Sequence, residues 1–311
     1  MDIITVKLFE KYLPLDVIRF IDTFVYIKLN NATIRHAVKL YFEDKEKSIF
    51  LYGYMEYWNT SKVTDMSTLF YNITQQIPDI SRWNIKNVTD MSFMFYNAVK
   101  FNQNLNKWNT SNVTNMAYMF YGCAEFNGDI SQWNTFNVLN MALMFYYAEN
   151  FNKNISDWNV SNVTNMSSMF NHATSFDQNL NKWNTLNVRD MSCMFYGAKS
   201  FNSNLSKWNV TNVLNMTLMF SNTNNFNSDI SEWNVSNVRD MSYMFCQSKK
   251  IQFNISNWNV INVTNMKFMF YGAESFDVNI SSWNITNVRY TAGIFLKCKI
   301  KEQNKARFRI E

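Results

Sequence analysis

The chain has 311 residues and a formal net charge of +5, long enough for a substantial core. Charged residues make up only 17% and aromatic residues another 17%, so this is not a disordered polyelectrolyte. With 6 Gly, 2 Pro and 2 His, the composition argues against long linkers, a glycine-rich phosphate loop and a histidine-rich catalytic or zinc site.

Residues 1 to 36 carry no repeat. Leu13-Pro14-Leu15-Asp16-Val17-Ile18 predicts a helix opened by Pro14. A second helix is expected from Asn31 as cap, carrying Ile34, Ala37, Val38 and Tyr41. This segment reads as a helical N-terminal cap for the repeats beyond it. Leu13-Pro14 with Val17, Ile18 and Ile21 also resembles the start of an F-box, which would imply a substrate adaptor in ubiquitin ligation. Residues 37 to 57 lead into the array as an enlarged first repeat.

From Trp58 onward the chain repeats every 25 residues. All 10 Trp sit at one phase, from Trp58 and Trp83 through to Trp283, and Asn follows each one. Two residues beyond each Trp stands Thr, Val or Ile, which predicts a short strand with Trp108 and Thr110 inward and Lys107, Asn109 and Ser111 outward. Val113, Met116, Met119, Phe120 and Cys123 then keep helical spacing, so a short helix is expected, with Asn112 as N-cap. The methionine stripe at the Met116 and Met119 phases reads as core packing.

One repeat cannot bury its own Trp, Met and Phe, and stacking supplies the missing walls. The expectation is therefore an α/β solenoid, leucine-rich-repeat-like. It has about ten turns over residues 37–295, with one short parallel strand and one short helix per turn. At about 4.8 Å per turn it would extend roughly 45–50 Å. The last repeat drifts, with Thr291 and Ile294 at the two methionine phases, and residues 296–311 form a basic tail read as a solvated end.

Two outward features stand out. The asparagine after each Trp (Asn84, Asn109, Asn134, Asn159, Asn184, Asn209, Asn234 and Asn259) is expected to stack as a structural ladder tying neighbouring turns together. The position before each Trp varies through Arg82, Lys107, Gln132, Asp157, Lys182, Lys207 and Glu232. Phe136, Leu186 and Ile261 break a run of Ser and Thr nearby. Variable outward residues beside a repeating core suggest a partner-binding face, with simple tolerance of solvent as the competing reading.

The string Trp-Asn-Thr-Ser-Asn-Val-Thr-Asn-Met-x-x-Met-Phe resembles the BspA-like surface-protein repeats, a divergent branch of the leucine-rich-repeat class. Members occur in bacterial surface lipoproteins, protists and large DNA viruses, and those with known roles adhere or bind proteins. The resemblance implies a non-enzymatic scaffold without cofactor or catalytic residues.

Met1-Asp2-Ile3-Ile4-Thr5-Val6-Lys7 lacks the pattern of a signal peptide, and no apolar run is long enough to span a membrane. With Cys123, Cys193, Cys246 and Cys298 in positions that do not suggest pairing, an intracellular setting is expected, in a host cytoplasm or a virion if the chain is viral. A protein partner is expected and nucleic acid is not. A structural or adhesive role at a particle or cell surface is the further alternative.

Overall fold

The computed structural model describes residues 26–307. The first described element is α1 (Asn31–Glu43), followed by α2 (Lys45–Tyr52). The N-cap of α1 is Asn30, whose Oδ1 accepts from the amides of Ala32 and Thr33, while the Thr33 hydroxyl accepts from the Asn30 N–H. Helix α1 runs through residue 36, the boundary drawn from sequence, and the helical cap reaches Tyr52. The F-box-like stretch Leu13–Asp22 lies outside the described residues.

Beyond a short 3-10 turn at Met55–Tyr57, each repeat forms one coil laid on the last. Successive coils meet in isolated parallel bridges, from Asp65 with Asp90 through to Asn265 with Tyr290. Where a helix was expected, the chain instead makes consecutive tight turns. Met119, Tyr121 and Cys123 donate their N–H groups to the carbonyls of Met116, Tyr118 and Phe120. The alternate amides point elsewhere: Met116, Tyr118, Phe120 and Gly122 donate to Asn140, Ala142, Met144 and Tyr146 of the next coil, at 2.7–3.1 Å. This four-bond set recurs at every junction from Met66 to Gly272.

The backbone geometry explains why no helix forms. Two residues of each coil, at the Tyr118 and Gly122 phases, have positive φ. Such residues turn their peptide planes, and the amides that a helix would spend internally then run between coils. The run of turns preserves near-helical side-chain spacing, so Val113, Met116, Met119, Phe120 and Cys123 are all buried. The strand predicted around Trp108 and Thr110 is absent; the one bridging residue per coil, at the Asn115 phase, falls in the stretch expected to be helical.

Aromatic rings fill the interior in columns. Phe70, Phe95, Phe120 and their successors to Phe295 stack at 5.5–5.9 Å between centroids. Each Trp is buried; the indole N–H of Trp58 donates to Gly53 O, and from Trp83 on each is satisfied across the coil junction. Trp133 Nε1, for example, donates to Leu105 O at 2.9 Å and Trp158 Nε1 to Ile130 O at 3.1 Å. Burying a Trp demands such an acceptor.

Both ends of the ladder are closed. On the N-terminal side, Asn31 Oδ1 accepts from the amides of Thr64 and Asp65, and Arg35 donates to Ser67 O at 2.8 Å. On the C-terminal side the segment read as a solvated tail folds back. Lys301 N donates to Asp277 Oδ1, Ile280 N donates to Asn304 O, and Ile300 and Ala306 are buried.

Candidate interaction surface

The structure assigns the asparagines differently from the stacked-amide expectation. Oδ1 of the first asparagine accepts from the amide two residues on, as in Asn109 with Ser111 N at 3.1 Å and Asn159 with Ser161 N at 3.0 Å. Asn84, Asn134, Asn184, Asn209, Asn234 and Asn259 make the same local turn. This fixes the bend after each Trp within its own coil. The tie between coils comes from the second asparagine. Asn112 Nδ2 donates to Lys86 O and Asn162 Nδ2 to Phe136 O, both at 2.8 Å. With no helix there, Asn112 has no N-cap role. A second inter-coil ladder follows the Phe126 phase, where Asn102 Oδ1 accepts from Asn127 N and Asn127 Oδ1 from Asn152 N.

The variable column before each Trp faces outward. Arg82, Lys107, Gln132, Asp157, Lys182, Lys207 and Glu232 are all exposed. The structure joins two of them: Lys182 Nζ lies 2.7 Å from Asp157 Oδ1 across one coil junction. They border a shallow cleft of about 440 Å³ also lined by Trp158, Asn159, Val160 and Asn184. An exposed pair of this kind contributes little to stability. Phe136 and Leu186 are exposed on a neighbouring column, whereas Ile261 is only half-exposed.

The sequence reading missed a further surface. Tyr71, Tyr96, Tyr121 and Tyr146 stack outside the core at 4.4–4.7 Å between centroids. Their ring faces cover one another, leaving Tyr71 at the end exposed and Tyr96, Tyr121 and Tyr146 half-buried. Burial within the stack, together with Tyr96 and Tyr146, pushes the Tyr121 phenol up to about 12. The signal was present as Tyr recurring at the residue after the core Phe. In coils without it, Asn171, Ser221, Cys246 and Leu296 stand there.

Reactive chemistry is scarce on these faces. Burial raises the thiols of Cys123, Cys193, Cys246 and Cys298 above the ordinary cysteine range, which disfavours the thiolate. Burial lowers the imidazole of His172, with Lys199 acting in the same direction. Among the described residues no group of three or more His, Cys, Asp or Glu is placed to hold a metal ion. The acidic phase of Asp90 and Asp190 forms local turns, each Oδ1 accepting from the serine amide two residues on.

A family model described as Mycoplasma protein of unknown function, DUF285, matches residues 38–148, 122–227 and 203–308. The chain belongs to this family. The three overlapping matches cover the whole coil stack of this DUF285 chain and part of its helical cap. Among curated proteins none matches the chain. Among solved structures, the functional domain of InlJ from Listeria monocytogenes, described as including a cysteine ladder, is similar at 9% identity and a TM-score of 0.17. That similarity covers 76% of this chain and 65% of the InlJ chain, and at that score it carries no argument.

Proposed function

We propose that this DUF285 chain is a non-enzymatic, leucine-rich-repeat-like solenoid scaffold that binds a protein partner through the outward face beside its Trp column. One observation carries the reading. Trp, Val, Met and Phe repeat at buried phases, while the exposed column from Arg82 to Glu232 changes charge and size from coil to coil. A rigid frame with a variable exterior suits recognition of a surface. The helices of the described residues are too short and polar to cross a membrane. The adaptor alternative depends on residues 1 to 36, most of them outside the described part. The surface or adhesive alternative has no structural observation of its own.

The test is charge reversal of Arg82, Lys107, Lys182 and Lys207 together, followed by cross-linking and mass spectrometry of the tagged full chain in cells. Loss of specific partners from the reversed protein, with its fold intact by circular dichroism, supports the assignment. An unchanged partner set places binding on another face.

A further inference from the structure

The outward column three residues beyond the Ser111 phase contains a stability puzzle. Its default residue is Thr, and the Thr has a structural task. The hydroxyls of Thr89, Thr114, Thr164 and Thr264 each donate to a carbonyl of the preceding coil, at 3.1–3.3 Å. In the same column Leu139, Arg189, Leu214, Arg239 and Arg289 stand instead; their backbone amides still donate to that carbonyl, but they lack the hydroxyl that adds a second bond. Folding gains little in exchange, because Leu139 remains 52% exposed and Leu214 39%. Phe136 and Leu186, on the adjacent column, are 50% and 40% exposed. Loss of a structural hydrogen bond for exposed apolar surface is a pattern that binding explains better than folding.

The charges support the same conclusion. The ion pairs of the described residues use Arg35, Lys39, Lys182, Lys249, Lys301 and Lys305. Arg189, Arg239 and Arg289 are exposed and take part in none of them. The adjacent carboxylates of Asp190 and Asp240 already accept from the amides of Ser192 and Ser242. The stripe thus offers guanidinium groups in search of carboxylates, with Leu214 between Arg189 and Arg239, Thr264 between Arg239 and Arg289, and Leu139 two coils before Arg189.

Spacing identifies the shape of the partner. The arginines occupy alternate coils, so they lie about 10 Å apart along the stack at about 4.8 Å per coil. Seven residues of an α-helix rise about 10.5 Å and return to the same face. An extended strand covers about 10 Å in three residues, but the third residue then points to the opposite face. A nucleic acid would set phosphates against Leu139 and Leu214.

We infer that this stripe docks an amphipathic α-helix of a partner protein. The helix runs along the stack, with carboxylates at every seventh position facing Arg189, Arg239 and Arg289 and apolar residues between them meeting Leu214. The inference rests on the scaffold reading and names the chemistry of its partner.

The test uses the full chain and a fluorescent synthetic helix with glutamates at every seventh position and leucines between, read by anisotropy. A peptide of the same composition with the glutamates scattered around the helix is the control. The designed peptide is expected to bind at least about tenfold more tightly than the scattered one. Arg189→Glu with Arg239→Glu should weaken it about tenfold or more, and a peptide with lysines in place of the glutamates should recover binding to that variant. Leu139→Thr with Leu214→Thr should keep the fold, since the backbone amides hold the inter-coil bond and the hydroxyls add to it, yet weaken binding several-fold. Equal binding of both peptides, or no effect of the leucine pair, overturns the inference, as does preference for a single-stranded RNA or anionic vesicles over the designed peptide. Should the Arg82 to Lys207 reversal still abolish partner capture, the helix inference fails alone. If that reversal also changes nothing, neither of these two faces binds the partner and the face assigned to the scaffold falls with it.

Discussion

Replacing Trp158 by Phe isolates the contribution of the indole N–H to coil stacking. Trp158 is buried, its ring lies parallel to that of Trp133 at 6.1 Å, and Nε1 donates to Ile130 O at 3.1 Å. Phe keeps an aromatic ring in the column but removes the donor. The Ile130 carbonyl still accepts from Trp133 N at 3.2 Å, so it is not orphaned, and the lost bond costs about 0.5–1 kcal/mol. The smaller ring leaves roughly 40 Å³ unfilled, which at about 24 cal/mol per Å³ adds about 1 kcal/mol. The expected total is about 2 kcal/mol. Urea unfolding followed by fluorescence of the remaining tryptophans measures it. Amide exchange at Met141 and Leu143, which donate into the Trp158 coil, localises it, because stacked repeats open locally. A loss below about 0.5 kcal/mol with unchanged exchange would show that the indole bond contributes nothing to stacking.

Other consequences are equally accessible. Asn162→Ala removes the bond to Phe136 O and should cost about 1 kcal/mol, with faster exchange at the junction of the two coils. Asn159→Ala opens only a local turn and should leave that junction protected. Ser168 has a φ of 55°, so Ser168→Gly should be neutral or stabilise by up to about 1 kcal/mol in thermal unfolding, whereas the β-branched Ser168→Val should destabilise. Asp277 accepts from Lys301 N, Lys301 Nζ and Asn304 Nδ2, which hold its carboxyl down at about 2. A depressed carboxyl stabilises the folded state above its unfolded value of about 4 and loses that contribution as pH falls through the folded value. The C-terminal closure should therefore loosen between about pH 4 and pH 2, seen as faster exchange of the Ile280 amide in chains quenched from each pH. In Asp277→Ala the same amide should exchange fast throughout.

How far the sequence can be read depends on which forces leave a periodic trace. The burial pattern does leave one: Trp, Val, Met and Phe return every 25 residues because each needs a neighbour of its own kind above and below. The asparagines also recur, and AT-rich coding would account for their abundance. The structure supplies a physical reason besides, since they close turns and bridge coils. Their division of labour is not legible, because a side-chain amide serves a local turn or a neighbouring coil equally well until the backbone direction is known.

The helix shows where reasoning from one dimension stops. Spacings of three and four residues describe an α-helix and also a run of overlapping four-residue turns, and the residues that separate the two, such as Tyr118, Leu143 and Ser168, do not advertise positive φ. The stack enforces that conformation by giving the turned amides acceptors in the next coil. The two ends required the same information. Asn31, Arg35 and Lys301 look like ordinary polar residues until the open ladder places unpaired backbone groups in front of them. The sequence by itself determined the period, the buried set and the outward columns, since hydrophobic burial acts on residue type. The hydrogen-bond pattern and the closures were decided by the tertiary structure, because they depend on the direction of groups in neighbouring coils.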